Sequence, residues 1–246
     1  RTPATMARGI FIAGTDTGVG KTLVAAAVAR MLRARAIDAA PMKPAQTGGE
    51  PDRARPGRLI APDLEFALAA CGLRPGDEER ALMAPWLFEP ACSPHLAARL
   101  AGRSIEVAKI SDCLERLAAR HRCLVVEGAG GLLVPLNETE TMLDLMRALA
   151  LPVLIVARGG LGTINHTLLS IRACREAGLN VLGFAVNDAE PAGGGGELAR
   201  TIRQDNPRAI ERFAQAPLLG DFGHHPEIAR SPGRAEIGRA SCRERV

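Results

Sequence analysis

Short apolar runs alternate with longer segments in which apolar residues recur at helical spacing. The apolar runs have the length of buried strands and lie at residues 10–13, 39–42, 123–126, 151–157 and 181–186. Helical spacing is found at residues 21–34, from Asp63 onward, at 104–120 and at about 165–177. The pattern therefore predicts strands and helices that alternate along most of the chain.

This alternation predicts an α/β fold, a mostly parallel sheet with helices on both faces. Residues 6–235 are expected to form a single domain, because no linker or fixed-period repeat divides them. Glycine-rich turns follow several strands at their carboxyl ends, which is the edge where open α/β sheets bind ligands. The polar, Pro- and Gly-rich residues 44–62 are expected at the surface.

Both ends of the chain have features of added sequence. Met6 is interpreted as the natural start, which makes residues 1–5 an N-terminal extension. Residues 236–246 resemble a translated sequencing adapter and are interpreted as a non-native tail. The adjacent His224 and His225 are expected to face solvent, because no Cys or carboxylate cluster accompanies them.

The composition and net charge of the chain indicate which classes of binding partner to expect. The chain is 47% hydrophobic and 24% charged, the balance of a globular protein with a substantial core. Aromatic residues make up only 3% and the net charge is +4, so no nucleic-acid partner is expected. The six cysteines form no C-x-x-C pair, and no apolar stretch has the length of a membrane span. We therefore expect a cytoplasmic protein with reduced thiols and no membrane partner.

The segment Gly14-Thr-Asp-Thr-Gly-Val-Gly-Lys-Thr22 lies between a predicted strand and a predicted helix. That context predicts a phosphate-binding loop, whose backbone N–H groups converge on phosphate oxygens. Five residues separate Gly14 from Gly20, one more than in the common form of the loop. The alternative interpretation is a plain tight turn. The nucleotide is expected to contact Gly18, Val19, Gly20, Lys21, Thr22 and Leu23.

A second lysine follows the second predicted strand. Only three of the 31 Lys and Arg residues are lysines, and Lys43 opens the segment Lys43-Pro-Ala-Gln-Thr-Gly48 at the same sheet edge as Lys21. Lys21 would bridge the β- and γ-phosphates. A second ammonium group beside a transferred phosphoryl group stabilises developing negative charge. We therefore assign Lys21 and Lys43 as catalytic, while a surface lysine at a strand end stays an open alternative for Lys43.

Two carboxylates are candidates for a magnesium site. Glu127 ends a buried strand, and Asp63 lies at a helix start, where a simple interaction with the helix dipole is its alternative role. Oxygen ligands suit Mg²⁺, which keeps few protein ligands beside phosphate and water. The predicted metal ligands are Thr22, Asp63 and Glu127. The nucleotide is also expected to contact Asp63, Glu127, Gly128, Ala129 and Gly130.

Seven segments, in their order along the chain, resemble the dethiobiotin synthetase family of the phosphate-loop NTPase superfamily. They are the two lysine segments above, Ser93-Pro-His95, Glu127-Gly-Ala-Gly-Gly131, Gly162-Thr-Ile-Asn-His166, Asn187-Asp188 and Ala216-Pro-Leu-Leu-Gly220. The resemblance implies the phosphate-loop NTPase fold, with Mg²⁺ as cofactor and ATP as co-substrate. In the family's reaction 7,8-diaminononanoate takes up CO₂ as a carbamate, ATP phosphorylates the carbamate, and the second amine closes the ring of dethiobiotin.

The resemblance also implies roles in substrate binding. Thr17 and Thr47 would contact the diamine or its carbamate. The helix start at residues 162–165 would bind the distant carboxylate of the substrate, although a purely structural helix start is the alternative. In the family this end comes from the neighbouring subunit, so the resemblance implies a homodimer with its substrate site at the interface. The residues implied at that helix start are Gly162, Thr163, Ile164 and Asn165, and those implied near the adenine are Asn187 and Asp188.

Two other functions use related chemistry. A dimerising ATPase switch of the partition or division-site type carries a lysine near the start of its loop, where this chain has Asp16. Such a switch also needs a basic or amphipathic surface for its partner. An amidoligase of the cobyrinate type activates a carboxylate with ATP, but it requires a glutaminase domain with a nucleophilic Cys. Both stay as alternatives at this point.

Overall fold

The computed structural model describes residues 9–188 and 196–223. The predicted N-terminal extension, the predicted tail, and His224 and His225 lie outside the described residues. The strands are β1 (Gly9–Gly14), β2 (Ala39–Met42), β3 (Ala45–Gln46), β4 (Glu50–Pro51), β5 (Leu59–Ile60), β6 (Trp86–Leu87), β7 (Cys123–Glu127), β8 (Val153–Arg158), β9 (Val181–Asn187) and β10 (Leu218–Phe222). The helices are α1 (Lys21–Ala34), α2 (Pro62–Cys71), α3 (Asp77–Met83), α4 (Pro94–Leu100), α5 (Val107–Ala118), α6 (Met142–Leu149), α7 (Thr163–Glu176) and α8 (Gly196–Ala214).

Six strands form one parallel sheet in the order β10-β9-β8-β1-β7-β2. The chain runs from β1 outward to β2, returns to β7, and then crosses β1 to reach β8. The carboxyl ends of β7, β1 and β8 therefore border the point where the direction of winding changes, which is where such sheets bind ligands. Two short pairs, β3 with β6 and β4 with β5, lie outside this sheet.

Alternate residues of β1 belong to two separate buried clusters. Phe11 and Ala13 pack in the larger cluster with residues of α5, α6 and α7, whereas Ile12 packs with Val24 and Ala29 of α1. Helices thus cover both faces of the sheet, and both sets of side chains must be apolar. This is why the central strands appear in the sequence as continuous apolar runs rather than as alternating ones.

The predicted α/β fold is confirmed, and two predicted elements match the structure residue for residue, α1 and β2. Helix α2 begins at Pro62, one residue before the predicted start, in keeping with the preference of proline for the first turn. Helix α5 is shorter at both ends than the predicted residues 104–120. Ile105, within the predicted helix, is buried but precedes the first helical turn.

The predicted surface position of residues 44–62 was wrong at its start. Ala45 and Gln46 are buried and pair in parallel with Trp86 and Leu87 of β6. The polar amide of Gln46 is accommodated because it hydrogen-bonds to the Thr47 carbonyl oxygen at 2.8 Å. A buried amide with satisfied donors does not require an exposed position.

Two further properties concern the described residues only. In residues 9–188 and 196–223, no helix is long and apolar enough to cross a membrane. The cysteines in these ranges are free: Cys71, Cys92, Cys113, Cys123 and Cys174. Cys242 lies outside the described residues.

Candidate active site

The glycine-rich segment between β1 and α1 forms the loop predicted from the sequence. Gly18 has φ 74° and Gly20 has φ 90°, a left-handed region in which side chains with a β-carbon are strained. A β-carbon on Gly14 would lie 2.8 Å from Cδ and Nζ of Lys21. Glycine at these positions therefore permits both the turn of the backbone and the return of the Lys21 side chain over it.

Lys21 is almost completely enclosed, with 6% of its surface exposed. Its Nζ donates a hydrogen bond of 2.7 Å to the carbonyl oxygen of Asp16 in the same loop. Burial, followed by repulsion from the ammonium group of Lys43, lowers the pKa of Lys21 to about 8. The two lysines are therefore close enough to interact electrostatically, as expected from the edge of the sheet that they share.

Asp16 ties the loop to the neighbouring strand. Its carboxylate accepts a hydrogen bond of 2.7 Å from the Thr17 backbone N–H and one of 2.7 Å from Arg158 at the end of β8. Thr17 itself is exposed. The sequence analysis assigned no role to Arg158, and its place as the last residue of β8, beside β1, is the signal that could have indicated one.

The second lysine lies at the centre of a buried polar cluster. Nζ of Lys43 is 2.6 Å from Oε1 of Glu127 and 2.7 Å from Oδ2 of Asp63. The same Glu127 oxygen accepts a 2.8 Å hydrogen bond from the Thr22 hydroxyl. Lys43 is 5% exposed and Glu127 is 4% exposed. The surface alternative for Lys43 is therefore wrong, and the predicted metal ligands Thr22, Asp63 and Glu127 lie together around one ammonium group.

The opposite charges in this cluster form ion pairs that stabilise one another. Burial lowers the pKa of Lys43, but the carboxylates of Glu127 and Asp63 outweigh burial, so the pKa of Lys43 is raised above its ordinary value. Burial raises the pKa of the Glu127 carboxyl, and the Lys43 ammonium opposes that rise. Lys43 therefore holds its proton more firmly than an ordinary lysine does, and Lys21 holds its proton less firmly.

Gln46 is a site residue that the sequence analysis missed. Its Nε2 lies 3.3 Å from Oδ2 of Asp63, and its Oε1 accepts a 3.3 Å hydrogen bond from the Asp63 backbone N–H. Gln46 thus contacts both the carboxylate and the backbone N–H of Asp63 at the start of α2. Thr47, the predicted contact of the diamine, is half-buried next to it. The position of Gln46 inside the lysine segment was the available signal.

The turn after β7 supports the cluster through its backbone. The Gly128 carbonyl oxygen lies 3.3 Å from Nζ of Lys43, and its N–H donates to the Ile12 carbonyl oxygen at 3.0 Å. A β-carbon on Gly128 would approach the ring of Phe11 to 3.0 Å. Gly130 has φ 69°, and Ala129 beside it is half-buried. This turn therefore has small residues where its backbone approaches β1.

The end of β9 lies directly against the phosphate loop. Nδ2 of buried Asn187 donates a 3.1 Å hydrogen bond to the carbonyl oxygen of Val19, and a β-carbon on Gly20 would overlap Asn187. Asp188 is half-buried and forms an ion pair with Arg203 of α8. Both predicted adenine contacts therefore lie near the loop. Leu23 is half-buried in the first turn of α1.

The start of α7 differs in exposure from these regions. Gly162 is exposed, with φ 87°, and precedes the buried Thr163, whose hydroxyl lies 3.4 Å from that of Thr167. Asn165 is exposed and Ile164 is half-buried. The four predicted residues form one helix start, as expected, but the described residues of this chain leave that start open to solvent.

Several proteins are similar in sequence to this chain over most of its length. The family model described as an AAA domain matches residues 8–231. The ATP-dependent dethiobiotin synthetase BioD of Anaeromyxobacter dehalogenans (strain 2CP-1) is 48% identical over 232 residues, which cover 91% of this chain and 93% of that protein. The BioD of Bacillus licheniformis is 38% identical over 214 residues, which cover 87% of this chain and 84% of that protein. The chain belongs to the dethiobiotin synthetase family.

Membership of the dethiobiotin synthetase family makes the chain an ATP-dependent ligase and disfavours both alternative functions. Solved division and partition ATPases do share the fold. MinD from Pyrococcus horikoshii, complexed with Mg-ADP, gives a TM-score of 0.58 at 17% identity over 93% of this chain and 86% of that chain. A ParA family ATPase from Chlorobium tepidum gives 0.56 at 16% identity over 95% and 96%. At these identities the likeness concerns the fold alone.

The oxygen atoms of this dethiobiotin synthetase cluster fit the requirements of Mg²⁺. In the part of the chain that the structure describes, no group of three or more His, Cys, Asp or Glu side chains is arranged to hold a metal. Two carboxylates and one hydroxyl converge instead: Asp63 and Glu127 contact Lys43, and the Thr22 hydroxyl donates to Glu127. Mg²⁺ commonly takes one or two carboxylates and completes its shell with phosphate and water. The donor set therefore suits Mg²⁺ bound together with a nucleotide.

Proposed function

We propose that the chain makes dethiobiotin from 7,8-diaminononanoate, CO₂ and ATP. One amine adds to CO₂ and loses a proton, which gives a carbamate. A carbamate oxygen attacks the γ-phosphoryl group, and ADP leaves. The second amine then attacks the carbon of the carbamoyl phosphate, the C–O bond to phosphate breaks, and the ring closes with release of phosphate and a proton. Two C–N bonds form for each ATP consumed.

One observation carries this proposal. Lys43 and Thr22 hydrogen-bond to the same oxygen of Glu127, so the second lysine segment, the phosphate loop and the end of β7 meet at one point. Lys21 returns over the same loop. A nucleotide held by the loop would thus present its terminal phosphate to two ammonium groups. Phosphoryl transfer needs positioning and neutralisation of charge rather than a covalent intermediate on the protein.

The two lysines would act differently, because their environments differ. Lys43 carries a firmly held charge between two carboxylates, and we assign to it the stabilisation of the carbamate and the transferred phosphoryl group. Lys21 has its pKa lowered to about 8 by burial and by Lys43. A bound polyphosphate would restore that pKa, so nucleotide binding would fix the proton on Lys21.

Thr22, Asp63 and Glu127 would hold Mg²⁺ beside the phosphates. When bound, the ion would neutralise charge on the β- and γ-phosphate oxygens. The protein supplies the orientation of these ligands. Gln46 fixes Asp63, and the buried end of β7 fixes Glu127. Both carboxylates therefore lie against Lys43 before any nucleotide arrives.

For the substrate, Thr17 and Thr47 would contact the diamine or its carbamate. The exposed helix start at residues 162–165 would bind the distant carboxylate of the substrate in the neighbouring subunit of a homodimer. Its support is that the first N–H groups of a helix lack partners within the helix. The adenine would lie beside Asn187 and Asp188, next to the loop. The cytoplasm stays our prediction for the location of the enzyme.

The decisive experiment incubates the purified chain with ATP, Mg²⁺, bicarbonate and 7,8-diaminononanoate and follows dethiobiotin by mass spectrometry. We expect one ADP for each dethiobiotin and no ADP above background without the diamine. When ¹³C-bicarbonate is used, the label is expected at the ureido carbon of dethiobiotin. ATP hydrolysis that is independent of the diamine, with no ring product, would contradict the proposal and favour a switch ATPase.

A further inference from the structure

Helix α8 contacts the turn that leads from β8 to α7 through a buried amide. Asn206 is buried, and its Nδ2 donates to the carbonyl oxygens of Gly159 at 2.9 Å and Gly160 at 3.1 Å. Both donors of one side chain are therefore used on two successive carbonyl groups. An amide group placed in this way restricts the orientation of both peptide planes.

One of these carbonyl groups also belongs to the start of α7. The Gly160 oxygen accepts a 3.3 Å hydrogen bond from the backbone N–H of Thr163, the first residue of the helix. Asn206 and the first N–H of α7 thus share a single acceptor. Gly162 has no side-chain hydrogen bond that would cap the helix. The turn held by Asn206 is therefore the contact that orients this helix start.

The other side of the turn is also tightly packed. A β-carbon on Gly159 would overlap the Asp188 carboxylate and the Arg203 side chain. Arg203 forms ion pairs with Asp188 and with Asp221, at the ends of β9 and β10. Gly159 is consequently enclosed between α8 and the strand end that lies against the phosphate loop, whereas Gly160 is exposed.

We propose that Asn206 is a positioning residue for substrate binding: it holds the Gly159-Gly160 turn so that the start of α7 keeps its orientation toward the substrate carboxylate. This inference rests on the proposed function of that helix start. It assigns to α8 a role in the affinity for the diamine and none in phosphoryl transfer. Lys21, Lys43 and the Glu127 cluster make no hydrogen bond with Asn206 among those described.

The test compares Asn206→Asp with Gln204→Glu. Each change converts an amide into a carboxylate on α8, but Gln204 is exposed. In Asn206→Asp both donors are lost and carboxylate oxygens face two carbonyl oxygens. We expect the KM for the diamine to rise about tenfold, with kcat at saturating diamine and the KM for ATP within about twofold of wild type. Gln204→Glu should match wild type in all three.

A second measurement does not depend on turnover. Hydrogen–deuterium exchange over residues 159–166 should be faster in Asn206→Asp than in Gln204→Glu, while the phosphate loop is unchanged. If Asn206→Asp does not fold, Asn206→Ser keeps one donor and should give a smaller rise in the same KM. An unchanged KM for the diamine, or an equal loss in kcat and both KM values, overturns the inference. Failure of the wild-type chain to make dethiobiotin overturns the proposed function first, so the two failures are distinguishable.

Discussion

Around Glu127 the polar side chains are buried and hydrogen-bonded to one another, whereas the start of α7 presents Leu161, 86% exposed, and Gly162 to solvent. Both regions lie at carboxyl ends of strands in the same sheet. The first region consists of polar side chains from four segments of one chain: Thr22, Lys43, Asp63 and Glu127. The second offers the N–H groups of a single helix start.

This difference separates two tasks of the enzyme. The phosphate side is organised before the nucleotide binds, because its side chains already form hydrogen bonds and ion pairs with one another in the folded chain. The start of α7 is exposed in the single chain, as expected of a surface that is completed by a second subunit. Changes on the phosphate side should therefore affect the chemical step within one chain, and changes at the helix start should act between chains.

The largest expected effect is that of Lys43→Ala. We expect kcat to fall about 100- to 1000-fold because the charge beside the transferred phosphoryl group is lost, while the Kd for ATP stays within about threefold of wild type. Product formation and calorimetric ATP binding measure the two quantities. Lys109→Ala removes an exposed lysine and should leave both unchanged. Equal loss of ATP affinity and of turnover in Lys43→Ala would contradict its assigned role.

The next prediction tests whether the helix start acts between chains. Gly162→Val places a branched residue at φ 87°, where nothing lies within 4 Å, so the change distorts only the local backbone. This variant and Lys43→Ala should each be inactive alone. The two variants are then mixed in equal amounts and allowed to exchange subunits. About half of the dimers are then mixed, and in each of them one of the two sites has both an intact Lys43 and an intact helix start, so about a quarter of wild-type activity should return.

The control for the mixing experiment is Gly178→Val at the other end of α7. Gly178 has φ 78° and also has nothing within 4 Å of an added β-carbon. This variant should keep most of its activity by itself. If mixing Gly162→Val with Lys43→Ala restores no activity while mixed dimers are detected by native mass spectrometry, the substrate site lies within one chain.

A smaller effect is expected from pH. The pKa of Lys21 is about 8 in the folded chain, so the side chain is half-charged near that pH and loses the rest of its charge as the pH rises further. Affinity for ATP should therefore fall roughly tenfold for each pH unit above about 8. Calorimetry in buffers of different ionisation enthalpy should also detect proton uptake on binding. Lys21→Arg keeps its charge and should show neither effect, whatever its absolute affinity.

The same pKa predicts the opposite trend for folding. In the unfolded chain Lys21 has its ordinary value of 10.5, so between about pH 8 and 10.5 the unfolded state binds more protons at this group. Its contribution to the free energy of unfolding should rise with pH through that window. The difference between wild type and Lys21→Met in urea unfolding isolates this contribution. A parallel decline of stability and ATP affinity would show that a different group titrates.

The smallest effect is expected for Gly18→Ala. Gly18 has φ 74° with open space around it, so the substitution strains the backbone by about 1 kcal/mol without a clash. Gly102→Ala, at φ 64° and equally open, should lower the free energy of unfolding by a similar amount. Only Gly18→Ala should also weaken ATP binding, because only it lies in the phosphate loop. Urea unfolding and ATP titration distinguish the two.

The elements that the sequence predicted well are those with a local cause. Helix α1 follows from helical spacing after a glycine turn, and five of the six strands of the sheet follow from continuous apolar runs; β10 was not predicted. The contact between Lys43 and Glu127 could also be anticipated, because Lys43 follows β2 and Glu127 ends β7, a parallel neighbour of β2. Strand ends at one edge bring their side chains together whatever separates them in the chain.

The parts that could not be predicted depend on tertiary contacts. Strands β3 and β6 have two residues each, too few to give a hydrophobic pattern in the sequence. They form because they pair with each other in the folded chain. Gln46 and Asn206 are ordinary polar residues in the sequence. Their importance comes from burial beside Asp63 and Gly159, which local spacing does not encode. The start of α7 was predicted, but its exposure depends on how the rest of the chain packs.

The contact between Asn187 and the phosphate loop has a consequence for the order of assembly during synthesis. Residues 14–22 emerge early from the ribosome, yet the side chain that supports Val19 and fills the space beside Gly20 belongs to β9, 168 positions later. A nascent chain that ends before β9 would contain the whole nucleotide loop without the residue that braces it. ATP binding should therefore be detectable for nascent chains that include β9 and not for shorter ones.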